Sequence, residues 1–482
     1  MGKGYKKGVV SLSEGPRNVL ENSGEYSCHG CFSRKLEIDL LREENQKLKH
    51  RVKVLEGGKE VVAIGAHTPP SQRPFKEKSS DENVLKQGGA VVGHKGNGRK
   101  SLKTEDTDAV VTISAPADCP DCGNPLSPHS HRQRSVLDAV EMKICKKIYD
   151  VERSKCGNCK KIHETRLPLF PRALYSNALL SQVAVMHYVH GIPIGRACTM
   201  LGKEVNPSGM LAALQRVANK WEPALDLLIA DYRESKVKHA DETGWRIDGQ
   251  PGWSWLFCTP SVSIFECRET RSSSVPKRIF GTERTPGVLI VDRFSAYNKL
   301  PCEIQYCYAH LLREVKKLDI EFPDDEEVAN FTADFGHLLA EAMRLGSRTL
   351  DDSAYYRTAT EIAGQIKALA YKSTKNVGIL SIQRIFQTKE SRLFQWVLSR
   401  DVPAHNNRAE REVRQTVIAR KVSFGSQSAR GAKTRSTMMS ILFTAKKRIA
   451  DQSIENWFTS ALDKMALNDT LNPAKLIPPN SC

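Results

Sequence analysis

The sequence predicts a multidomain α/β protein, and three observations carry that expectation. Two short apolar runs each end in an aspartate, Val237-Lys238-His239-Ala240-Asp241 and Gly287-Val288-Leu289-Ile290-Val291-Asp292. Between them, Trp253 to Cys258 and Val262 to Cys267 alternate as two further strands around the turn Thr259-Pro260-Ser261. On either side the pattern is helical, over 176–222 upstream and 323–398 downstream.

Composition narrows the classes. A chain of 482 residues has room for about three domains. A net charge of +17 favours an anionic partner, most commonly nucleic acid. No apolar run reaches the roughly 18 residues of a membrane span. Met1-Gly2-Lys3-Gly4-Tyr5-Lys6-Lys7 is basic but has no apolar segment behind it, so no secretory signal is read and a cytoplasmic location is expected. There the 13 cysteines stay reduced, and paired CxxC motifs are metal ligands rather than disulfides.

Residues 1–33 lack periodicity and read as disordered, apart from Cys28-His29-Gly30-Cys31. Residues 34–56 form a coiled coil. Ile38, Asn45 and Val52 occupy a positions, and Leu41, Leu48 and Leu55 occupy d positions. In a parallel dimer Glu37 faces Arg42, Glu44 faces Lys49 and Arg51 faces Glu56, all attractive, while Asn45 fixes register. A single amphipathic helix packed on its own chain is the alternative. Such a dimer would bring two copies of Cys28 and Cys31 together, either as a zinc clamp or as idle thiols.

Residues 57–117 have the composition of a flexible basic linker, in which 88–100 either follows a phosphate backbone or is a solvated tether. Residues 118–165 form a zinc module: Cys119, Cys122, Cys156 and Cys159 supply four thiolates for a structural, tetrahedral Zn2+, with ribbon strands expected between Lys143 and Val151. Residues 166–235 read as three helices, the last capped by Ser208, and fit either a helix-turn-helix that binds DNA or a helical spacer.

The strands then follow in the order of a ribonuclease H-like sheet. This domain spans 236–450, interrupted by a helical insertion at 323–398, and leaves a C-terminal segment at 451–482. Strand-end acids at the carboxyl edge of an α/β sheet are where sites tend to form. Two-metal phosphoryl transfer needs clustered carboxylates, and Asp241, Asp292 and Glu410 are the candidates. Each also has a plain structural reading. Asp292 could cap the helix beginning at Phe294 or Ser295, and Glu410 could form a capping box with Asn407. Glu242 could replace Asp241, although strand alternation points it to the other face. Glu412 lies about 200° around the helix from Glu410 and is the poorer candidate. Gly425 to Thr434 has the wrong spacing for a phosphate loop and reads as a flexible basic loop.

Five ordered motifs resemble the insertion sequence 66 family of bacterial transposases. They are His239-Ala240-Asp241-Glu242-Thr243, Asp292-Arg293-Phe294-Ser295-Ala296-Tyr297, Cys307-Tyr308-Ala309-His310-Leu311-Leu312-Arg313, Asn406-Asn407-Arg408-Ala409-Glu410-Arg411 and Arg420-Lys421-Val422-Ser423-Phe424-Gly425-Ser426. Arg293 departs from a frequent glycine, and Val91-Val92 interrupt the usual linker pattern. The resemblance implies a DDE transposase in which Asp241, Asp292 and Glu410 hold catalytic Mg2+ or Mn2+, with His310 close by. It also implies cleavage of double-stranded DNA at element ends and strand transfer into target DNA. The expected partners are those DNAs, a second copy of the chain through residues 37–56, and helper proteins of the same element. Two rival readings stay open: a zipper-and-zinc DNA-binding regulator without catalysis, and a ribonuclease H-like nuclease that cuts without joining.

Overall fold

A computed structural model describes residues 173–480 except Lys203, together with Ile144, 146–151, 153–155, 162–164 and 166–170. The coiled coil, the linker, Cys28, Cys31 and the zinc ligands Cys119, Cys122, Cys156 and Cys159 lie outside these residues. The ribbon strands are displaced from the expected stretch. Residues 146–151 carry no strand, whereas β1 (Arg153–Lys155) and β2 (Ile162–Glu164) pair antiparallel on either side of Cys156 and Cys159 in sequence.

Helices open the rest of the chain. α1 (Asn177–Ala184) runs into a π-turn at Val185–Val189, and Gly191 breaks it at φ 73°. After α2 (Ile194–Leu201) comes α3 (Pro207–Trp221), whose cap is Asn206 rather than Ser208: its side chain accepts from the N–H groups of Ser208 and Gly209. Pro207 explains the shift, because a proline lacking an N–H is tolerated in the first helical turn. Met210, Leu214, Val217 and Trp221 bury one face of α3, and α4 (Leu225–Glu234) leads into the sheet.

The molecule is mixed α/β. Its five-stranded sheet has the order β6-β5-β3-β7-β8, formed by β3 (Val237–Gly244), β5 (Trp253–Cys258), β6 (Ser263–Arg268), β7 (Val288–Val291) and β8 (Glu303–Tyr306). β4 (Arg246–Ile247) lies outside it, and α5 (Ser274–Phe280) separates β6 from β7. The first three strands run antiparallel, and β7 and β8 run parallel to β3. Leu289, Ile290 and Val291 are all fully buried, as their unbroken apolar run demands.

From β8 the chain enters α6 (Tyr308–Glu321). It then makes a helical excursion through α7 (Glu326–Leu345), α8 (Asp352–Ala370), α9 (Val377–Thr388) and the single turn α10 (Gln395–Leu398). The excursion is stitched back to the sheet where it leaves. Gln305, fully buried, donates to the Leu393 carbonyl at 3.2 Å and accepts from the Trp396 N–H. Tyr308 Oη also donates to Leu393 O, and the Tyr308 N–H donates to Ala404 O at 2.8 Å. The two ends of the excursion are thereby fixed beside each other.

The return leg is α11 (Asn407–Ser423), followed by β9 (Gly425–Ser426), α12 (Ala429–Arg448) and α13 (Ile454–Leu467). One expectation is corrected here. The stretch from Gly425 is no flexible loop: Gly425 and Ser426 pair with β4, Ser428 caps α12, and the helix has begun by Ala429. One hydrophobic core includes residues from Tyr175 to Ile477. No helix among the described residues is long and apolar enough to cross a membrane.

Candidate active site

Asp241 and Asp292 come together through strand register. β3 and β7 pair Val237 with Val288 and His239 with Ile290, an offset of 288 − 237 = 51. The two aspartates share it, 292 − 241 = 51, and so stand abreast at the carboxyl ends of the paired segments. Glu410 arrives from the first turn of α11, which packs across β3 and β5.

The carboxylates act on one another. Burial, and then Glu242, Asp292 and Glu410, push the Asp241 carboxyl well above the usual carboxylate range. The Glu242 N–H, donated to Asp241 Oδ1 at 2.9 Å, works against them. Asp292 Oδ1 accepts from the Phe294 N–H at 2.9 Å, which occupies one of its oxygens; the expected helix is a single tight turn, Ser295–Tyr297, whose cap position is Phe294 rather than Asp292. The capping box at Asn407 does not form. Asn406 is the cap residue, and its side chain makes no cap bond.

Asn406 is committed elsewhere. It is 1% exposed, donates from Nδ2 to Ala240 O at 2.7 Å, and accepts at Oδ1 from His239 Nδ1, 2.9 Å away. That pairing requires the proton on His239 Nδ1. Burial holds the His239 ring neutral, down at about 3, against the Asn406 bond that raises it. The Asn406 N–H meets Cys307 Sγ at 3.1 Å. One buried amide therefore ties the start of the Glu410 helix to the residue before Asp241. Nothing in the sequence marks Asn406 for this use, because an asparagine just before a helix suggests a cap.

Around Glu410 the partners are His310 and Arg313. Glu410 Oε1 lies 3.6 Å from His310 Nδ1, and Oε2 lies 3.3 Å from Arg313 Nη2. Burial and then Arg313 lower the His310 pKa, so its imidazole is neutral at neutral pH, and its Nδ1 is buried without a hydrogen bond. The other two acids are engaged in structure. Glu242, with its side chain 2% exposed, pairs with Arg271 at 2.6 Å and accepts from Tyr297 Oη at 2.6 Å, while Arg271 stacks over Phe294 at 4.0 Å. Glu412 pairs with Lys447 at 2.8 Å and accepts from Ser263 Oγ. Asp292 and Glu410 are thus near enough to act on Asp241, whose charged neighbours of largest effect are all carboxylates, while the close ligand group among the described residues joins Glu410 to Cys307 and His310.

Residues 172–434 match the model of the Transposase IS66 family. The chain belongs to this family. Residues 119–200 also match a domain of unknown function, DUF6431. An uncharacterized protein y4qI of Sinorhizobium fredii (strain NBRC 101917 / NGR234) is 23% identical over 407 residues, covering 75% of this chain and 73% of that protein. Among solved structures, the HTLV-2 integrase catalytic core domain in complex with magnesium (dimeric form) is similar at 11% identity, covering 31% of this IS66-family chain and 96% of that chain. Its TM-score of 0.11 is too low to bear on the fold.

Proposed function

We propose that this IS66-family protein is a DNA transposase with a ribonuclease H-like catalytic domain, in which Asp241, Asp292 and Glu410 are the metal-binding acids. The observation that carries the reading is the meeting of three carboxylates from three separate segments, with Asp241 crowded by carboxylates. The sheet order and the antiparallel-then-parallel run of its strands support the ribonuclease H-like assignment.

An oxygen-only donor set suits a hard cation such as Mg2+ or Mn2+. Bound divalent cations would neutralise the crowded acids and stabilise charge developing in phosphoryl transfer. The protein's own part is positioning. Strand register holds Asp241 beside Asp292, Asn406 sets the start of α11, and Arg313 with His310 orients Glu410. The net charge of +17 supplies attraction for the DNA backbone of element ends and target, and so governs binding more than chemistry.

A strand-joining assay with the element's own end DNA and Mg2+ tests this reading. Asp292→Asn or Glu410→Gln should lower cleavage and joining by roughly 10³-fold, equivalent to about 4 kcal/mol, while DNA affinity holds. Glu412→Gln should change the rate less than tenfold, because its carboxylate is spent on Ser263 and Lys447. Wild-type joining by either acid variant refutes the site. Cutting without joining by the wild type identifies a nuclease, and neither activity identifies a regulator.

A further inference from the structure

Cys307, the residue before α6, stands apart from the acid cluster in chemistry but next to it in space. One ligand atom each from Cys307, His310 and Glu410 lies within 4.8 Å of the others, and His310 Nδ1 is already 3.6 Å from Glu410 Oε1. Donor atoms around a tetrahedral Zn2+, at about 2.0–2.3 Å from the ion, are separated by roughly 3.5 Å. The histidine–glutamate edge, at 3.6 Å, already has about that length.

Two further features fit a cation here. His310 Nδ1 is buried with no hydrogen-bond partner, and stands 3.6 Å from Glu410 Oε1, beyond hydrogen-bond length. Burial raises the Cys307 thiol pKa, and the Asn406 N–H at 3.1 Å from Sγ, with the His310 and Ala309 amides, works against that. Amides directed at sulfur stabilise a thiolate ligand, as does a place at a helix N-terminus. The donor set of sulfur, nitrogen and one carboxylate oxygen is wrong for Mg2+ and suits a softer ion.

We propose that Cys307, His310 and Glu410 form a second cation site, selective for thiophilic divalent ions such as Zn2+, that shares Glu410 with the acid cluster. Occupation of this site withdraws Glu410 from the Mg2+ acids, so the two cations exclude one another. Only that last consequence rests on the transposase reading. Zinc binding itself does not.

The test uses the full chain loaded with excess Zn2+ and then desalted, with zinc counted per chain. The wild type should hold one zinc more than Cys307→Ser, His310→Gln or Glu410→Gln, and Asp292→Asn should match the wild type. With Co2+ in place of zinc, the difference spectrum of wild type minus Cys307→Ser should carry a thiolate-to-metal charge-transfer band. Should Cys307→Ser fail to fold, His310→Gln decides, because its ring is partly exposed and removal leaves the core intact. Equal zinc in wild type and His310→Gln overturns the site. So does loss of the same zinc in Asp292→Asn, which would place the ion among the aspartates. A chain that binds this zinc yet never cleaves DNA keeps the proposal and removes the transposase reading.

Discussion

Asn406 makes the strongest single-residue case. Its amide satisfies a backbone carbonyl and a neutral histidine at once, both buried, beside Asp241. Removing it leaves two buried polar groups unmatched, each worth about 1–3 kcal/mol. It also frees the first turn of α11, and Glu410 with it. Asn406→Ala should therefore raise the Mg2+ concentration for half-maximal joining by roughly tenfold and lower the turnover number, with DNA affinity unchanged. A Mg2+ titration of the joining rate decides this. A rate loss without any change in Mg2+ dependence would make Asn406 a stability residue and nothing more.

At the scale of elements, the edge of the sheet is closed by a helix rather than a strand. β6 presents unpaired N–H groups at Ser263, Phe265 and Cys267. They donate to Thr444 Oγ1 at 3.0 Å, Ser440 Oγ at 2.8 Å and Ser436 Oγ at 2.8 Å, all from one face of α12. The spacing works because four helical residues rise about 6 Å and two strand residues about 6.8 Å. An open edge would otherwise invite pairing with another chain. Ser440→Val should lower unfolding stability by about 1–3 kcal/mol and promote self-association, because the central donor is buried with no acceptor. Urea unfolding and light scattering give the answer. A variant as stable and monodisperse as its parent would mean the helix covers the edge without needing the hydroxyl.

Across the whole molecule, the 85 residues between α6 and α11 (322–406) act as a detour that returns the chain to the sheet. Tyr308, Trp396 and Gln305 close that detour at its base, which fixes where Glu410 re-enters. The coiled coil expected over residues 34–56 lies outside the described residues and has its own test. A fragment over residues 20–60 should be dimeric, and Asn45→Leu should shift it to higher oligomers, as sedimentation equilibrium would show. A fragment that stays monomeric at all concentrations removes the zipper. For the zinc module, Cys156→Ser should reduce the full chain's zinc content by one ion.

What the sequence determined by itself were local elements and the family. β7 was legible because four apolar residues behind Thr285-Pro286-Gly287 leave few alternatives to a buried strand. The helical detour was legible from its periodicity, and the family from its ordered motifs. Tertiary structure decided how the acidic side chains are shared out. Asp241, Glu242, Asp292, Glu410 and Glu412 are alike as letters, yet Arg271 and Tyr297 occupy Glu242 and Lys447 occupies Glu412. Those partners come from 29 or more residues away, beyond any local pattern. Asn406 and Cys307 gained their places in the same manner, through contacts 166 and 99 residues apart in the chain. Periodicity records which face of an element is buried. Which charge meets which is fixed only when the strands pair and the detour closes, because a carboxylate's chemistry depends on the few ångströms around it.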